Sequence, residues 1–275
     1  LFLLTATPQG YKFPIVNLWQ QPAAPHGEAK PREENAMTWP IDVQALEQAI
    51  VRNCSPTLAA LKPASLFTFP GSFTAQTPSD QDGANARRRA FLEAARYCQR
   101  QVSSAGVAIR ILAWKRCGAL VYVYRPCELA AYLLDRRAAR PLGGEGYRIG
   151  DLEACLDELA RRLQDRPRTN AGRAHDGSKP CPCSNRACRS EFPHEIGFFL
   201  GYPYEDVIGF IKNRGQNYLE VGPWKVYANQ TQARQTFARY RRCARIYARA
   251  YQCGQGLRCL TVNGRNAMHP QHAQR

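Results

Sequence analysis

The sequence predicts an α+β fold, in which several helices pack on a small mixed sheet that includes a β-hairpin. Three observations carry this. Apolar residues recur at helical spacing in several segments, most plainly from Thr231 to about Gln252. Two β-rich runs, Val107–Trp114 and Ala119–Tyr124, flank a short turn at Lys115–Gly118. The chain has 275 residues, 44% of them apolar, which is enough for a substantial core.

The elements follow in order. Val43, Leu46 and Ile50 share a helical face after Pro40, and that helix is expected to stop near Asn53. A second helix is expected to restart at Ser55, a good N-cap, with Pro56 in its first turn. SLFTF, ending at Pro70, reads as a short strand, and GSFTAQTPSDQDGAN reads as loop. Ala86–Ser104 is helical, with Phe91, Ala94, Ala95 and Cys98 on one face. The hairpin comes next, then helices at about Glu128–Asp135 and Leu152–Leu163, joined by a Gly-rich loop over Pro141–Gly150. After an aperiodic stretch come two short helices, the strand WKVYA, and a long last helix with Phe237, Tyr240, Ala244, Tyr247 and Tyr251 as its inward stripe. One domain is expected over 41–263, with a polar insert at 166–190. Residues 1–40 and 264–275 lack apolar periodicity and are expected to lie outside the fold, the former as an extension or as sequence upstream of a start near Met37.

The net charge is +16, from 38 basic and 22 acidic residues, which favours anionic partners: nucleic acid, phosphorylated ligands or an acidic protein. Only seven of the 38 are Lys, a bias that GC-rich coding also produces. The eleven Cys are mostly scattered singly, unlike a disulfide scaffold. With no signal peptide and no apolar run near eighteen residues, the chain reads as cytoplasmic. Neither a P-loop nor a dinucleotide fingerprint is present, and no cofactor is expected.

EFPHEIGFFLGYPYEDVIGFIKNRG (191–215) has the spacing of a helix-turn-helix: Gly201 at the turn, Gly197 four before it, Val207 and Phe210 as anchors. Its second helix would face a groove with Tyr204, Glu205, Ile208, Gly209 and Lys212, a poor set for reading base edges. Two packed helices are therefore expected instead. His194–Glu195 begins a zincin pattern, but Phe198 stands where the second His is required. Cys181, Cys183 and Cys188 with His175 could supply four zinc ligands in the insert, yet their spacing is not that of a zinc knuckle, so no metal site is expected.

The same residues carry a family resemblance. EFPHEIGFFLGYPYEDVIGFIKNRGQNY followed by WKVY, together with NCSPTLAALKPASLF, the hairpin ending VYVYRP, and GLRCLTV, resembles the uncharacterised bacterial family called domain of unknown function 3793. The resemblance covers roughly residues 48–263. It implies a single cytosolic domain from anaerobic Gram-positive bacteria and supplies no activity, cofactor or catalytic residue. The leading expectation from the residues is a ligand- or protein-binding domain, to which the resemblance adds a link to redox or iron metabolism.

Two further chemistries are weighed beside that binding role. Cys54, placed between two predicted helices, would aim its sulfur at a helix N-terminus and ionise readily, with His194 as the candidate base of a thiol-dependent enzyme. The last helix offers Arg234, Arg239, Arg241, Arg242, Arg245 and Arg249 with no acid among them, a surface for nucleic acid, a phosphorylated small ligand or an acidic protein. Lys62, Glu195, Arg241 and Arg245 are the ligand-binding candidates.

Overall fold

A three-stranded antiparallel sheet divides two helical layers. It is built from β1 (Ala64–Pro70), β2 (Ala108–Lys115) and β3 (Gly118–Tyr124), in the order β1-β3-β2. The computed structural model describes residues 43–164 and 193–264; the expectations for the extension, the insert with its cysteines, and the tail lie outside them. The central strand is buried along its whole length, and its side chains alternate with period two. Ala119, Val121 and Val123 enter one core with Phe67 of β1. Leu120, Tyr122 and Tyr124 enter the other with Ala64.

Beneath the first face lie α1 (Val43–Leu58), α2 (Gln81–Val102) and α9 (Leu257–Leu260). Beneath the second lie α3 (Pro126–Leu134), α4 (Arg136–Gly144), α5 (Leu152–Leu163), α6 (Ile196–Phe199) and α7 (Tyr204–Lys212). A small hairpin, β4 (Glu220–Val221) with β5 (Lys225–Val226), packs with the start of α8 (Gln230–Gln252) around Trp224, Phe237 and Tyr240. Among the described residues, no helix is long and apolar enough to cross a membrane.

The α+β class, the hairpin and the long last helix follow the sequence expectation; four local boundaries do not. α1 is one helix, not two: it runs through Asn53 and Pro56 to Leu58. Its buried stripe of Leu46, Ile50, Cys54 and Leu58 continues unbroken across the predicted gap. Pro56 lies in the last turn, where it removes one main-chain bond, and the Ser55 hydroxyl donates to the Val51 carbonyl nearby. α2 starts five residues early, at Gln81, after a short 3-10 turn whose Asp80 accepts from Arg87 at 2.9 Å. The start of the stretch read as a Gly-rich loop, Pro141–Gly144, is the last turn of α4, because burying Leu142 outweighs the poor helix propensity of Pro141 and its glycines. α6 is a single turn, so the helix pair suggested by the sequence is incomplete as a helix-turn-helix.

Two polar residues lock these layers. Arg125, only 1% exposed, donates to the carbonyls of Thr57 (2.7 Å), Leu58 (2.8 Å) and Val262 (2.7 Å), while its main-chain N–H holds Pro63 (2.8 Å). Asp206, 3% exposed, accepts from the Trp224 indole (2.7 Å) and the main-chain N–H groups of Tyr227 (2.7 Å) and Ala228 (3.0 Å). That carboxylate fastens α7 to the small hairpin and the entry of α8. Replacing it by Ala strands one buried and two part-buried donors, so Asp206→Ala is expected to cost about 2–4 kcal/mol in urea unfolding. A loss below about 0.5 kcal/mol would show that the hairpin is held by its aromatic packing alone.

Candidate functional site

The chain reverses between α1 and β1, and that reversal gathers polar side chains inside an apolar core. α1 delivers Cys54 and Thr57 on its buried face; β1 delivers Ser65, which is 4% exposed. Ser65 Oγ lies 2.8 Å from Thr57 Oγ1 and also hydrogen-bonds the Cys54 thiol. Lys62 stands in the connector, half-buried, close enough to act electrostatically on Cys54. Twelve residues of sequence, Cys54 to Ser65, thus supply one thiol, two hydroxyls and one amine to a single spot.

Two tyrosine rings cage the amine. Lys62 Nζ lies 5.2 Å from the Tyr202 ring centre and 5.9 Å from that of Tyr240. Both hydroxyls are turned elsewhere: Tyr202 donates to the Pro223 carbonyl at 3.1 Å and Tyr240 to that of Leu61 at 3.5 Å. Among the described residues no carboxylate pairs with Lys62, and no oxygen accepts a hydrogen bond from it. Burial lowers the Lys62 pKa to about 8, against a smaller upward pull from Cys54. The cage is itself tightly set. Gly201, in the turn before α7, has φ +66, and a Cβ there would stand 2.2 Å from the Pro63 ring. The glycine that sequence spacing assigned to a DNA-binding turn serves to press the Tyr202 turn onto the Lys62 connector.

Trp224 stacks on Tyr202 at 5.0 Å, and with Tyr240 and Gly201 it lines a neighbouring cleft of about 480 Å³. Tyr132, Arg137 and Glu205 also line it. The volume falls in the range of small-molecule sites.

The predicted site residues divide among separate places. Cys54 and Lys62 come together, but Cys54 lies within α1 rather than at a helix start. Burial pushes its thiol up, the opposite of the expected direction, with Lys62 and the Ser65 hydrogen bond opposing only in part. His194 is placed against the Phe210 ring, 5.5 Å between centres, and the charge acting on Cys54 comes from Lys62. Glu195 is engaged within the fold, accepting from Arg162 at 2.6 Å and from the Tyr147 hydroxyl at 3.1 Å. Arg241 and Arg245 are exposed on α8. Sequence reasoning missed Thr57, Ser65, Tyr202 and Tyr240 as neighbours of Lys62. The one available signal was the pair of small polar residues, Thr57 and Ser65, in otherwise apolar stretches.

A half-buried amine with no anion beside it weakens the fold. Its pKa is below the unfolded value of 10.5, so the unfolded chain binds more protons between about pH 8 and 10.5. Stability therefore rises with pH through that window, by on the order of 1–3 kcal/mol from this group. The buried thiols and phenols contribute with opposite sign, so the comparison that isolates Lys62 is wild type against Lys62→Met. The variant is expected to be more stable at pH 7, with the gap closing toward pH 10; a gap independent of pH would contradict the assignment. Iodoacetamide should modify the exposed Cys117, Cys127, Cys253 and Cys259 in the native protein and reach Cys54 only on unfolding.

A search of curated proteins and of solved structures found no match to this chain. A family model does match, over residues 50–261, a span that includes Cys54, Lys62, Ser65, Tyr202 and Tyr240. Its description is "Protein of unknown function (DUF3793)", and the chain belongs to that family.

Proposed function

We propose that this protein is a cytoplasmic binding domain whose partner is an acidic protein surface, docked on the outer face of α8. The observation that supports this reading is the arrangement of the arginines. Arg239, Arg241, Arg242, Arg245 and Arg249 are exposed, and no ion pair ties them to a described acid; only Arg234, at the start of the helix, pairs with Glu220 at 2.6 Å. Arg241, Arg245 and Arg249 repeat every four residues and so form one row about 12 Å long. Phe237, Tyr240 and Cys243 turn the opposite way, into the core.

Two features favour a protein over nucleic acid. Ile246 is 55% exposed among the arginines, an apolar contact of the kind found inside protein interfaces. The helix tyrosines are at least partly buried, which leaves no aromatic row on which bases could stack. The guanidinium groups suit paired carboxylates, which they bind bidentately. A tie to redox or iron metabolism would follow only from the partner's identity.

Binding to poly-L-glutamate and to duplex DNA of matched length, followed by fluorescence anisotropy at several salt concentrations, separates the readings. Poly-L-glutamate is expected to bind the more tightly at physiological salt. The double variant Arg241→Glu, Arg245→Glu should weaken that binding about tenfold or more with unchanged melting temperature. Tighter DNA binding that falls steeply with salt and is lost in the same variant would overturn this reading in favour of nucleic acid.

A further inference from the structure

We infer that Lys62 is an imine-forming amine, which captures a small aldehyde or keto compound at the cage formed by Tyr202 and Tyr240. This inference is independent of the α8 surface. It rests first on placement. The amine stands where three separately folded pieces meet: the α1–β1 connector, the turn before α7, and α8. Three N–H groups of a half-buried ammonium ordinarily find acceptors. Here the amine faces two ring surfaces, with no carboxylate or carbonyl among the described residues to pair with it. The half-buried Lys225 offers the contrast, since it stacks on aromatic rings yet donates to the Gly215 carbonyl at 2.7 Å.

Burial favours the neutral amine against the attraction of the two ring faces for the ammonium, and a neutral amine is the nucleophile. A pKa of about 8 leaves a substantial neutral fraction at physiological pH, where an exposed lysine has almost none. The buried thiol next to it stays protonated, so the amine rather than the sulfur is the reactive group of the cluster. Half-burial keeps a path to solvent, by which a small carbonyl compound reaches the amine.

The chemistry balances without any further reactant. The nitrogen lone pair attacks the carbonyl carbon while the carbonyl π pair moves onto oxygen. Proton transfer from nitrogen to that oxygen gives a carbinolamine. Loss of its hydroxyl with the remaining nitrogen proton, as water, leaves the imine. One carbonyl compound and one amine thus yield one imine and one water, with no change in oxidation state.

The test traps the imine by reduction. The full chain is incubated at pH 7.5 with pyruvate, or with propanal as a neutral probe, in the presence of cyanoborohydride, and modified lysines are located by peptide mapping. Lys62 is expected to be modified about tenfold or more faster than the exposed Lys212, at a rate that saturates with probe concentration. Lys62→Arg keeps a cation at the site but forms no imine, and only the slow background at the other lysines, Lys212 among them, should remain. Its circular dichroism and melting curve establish that it folds. If Lys62 stays unmodified in the folded wild type, or is modified no faster than Lys212 without saturation, the inference is wrong and the amine is only a caged cation.

Discussion

One buried guanidinium sets the geometry on which the candidate site depends. The last carbonyls of a helix have no partners within it, and those of α1 end in the protein interior, where water cannot serve them. Arg125 satisfies Thr57 and Leu58 there and reaches Val262 of the C-terminal segment as well. Its only ion pair among the described residues is with Glu128 at 3.9 Å, so the charge is met mainly by carbonyl dipoles at a helix C-terminus, where a cation is favoured. Burial still pulls its pKa down, the sign of a group held at a cost. Lysine has no equivalent fork with which to span these acceptors.

The consequences run outward from that point. With the end of α1 fixed and Pro63 held by the Arg125 N–H, the connector has little freedom, and Ala60 within it takes a positive φ of 54°. Lys62 is therefore presented by a constrained loop rather than by a free one. Pro63 in turn provides the surface against which the Gly201 turn is pressed, bringing Tyr202 over the amine. Asp206 secures the other wall by fastening Trp224, which stacks on Tyr202. Stability is given up at Lys62 and recovered in the hydrogen-bonded shell around it, an arrangement typical of sites retained for chemistry or recognition.

Where periodicity and turn chemistry agreed, the fold was legible. The hairpin around Lys115–Gly118 and the stripe of α8 each follow from one local rule. Errors arose where tertiary burial overrode a local signal. Ser55–Pro56 has the form of a helix start, but the apolar stripe from Leu46 to Leu58 keeps α1 continuous. Pro141 and its glycines read as loop, yet Leu142 has a core position to fill and α4 forms. The site was legible only in part. Lys62 and Cys54 are eight residues apart, on a helix and the connector after it, so their meeting was within reach of a sequence reading. Tyr202 and Tyr240 come from 140 or more residues away, and no local pattern indicates that their rings close over one amine. No local pattern marks Arg125; its burial is a property of the packed layers.

Native-state hydrogen exchange in Arg125→Lys tests this account most directly. The N–H groups of Leu61 and Val262, which bond the carbonyls of Pro56 and Leu58, report the end of α1 and its link to the C-terminal segment. If Arg125 organises that corner, both should lose protection by about two orders of magnitude or more, a local opening of roughly 3 kcal/mol, while the β3 amides exchange only as far as global stability falls. Unchanged protection at Leu61 and Val262, in a variant as stable as the wild type, would show that the corner is held without the guanidinium and would contradict the account.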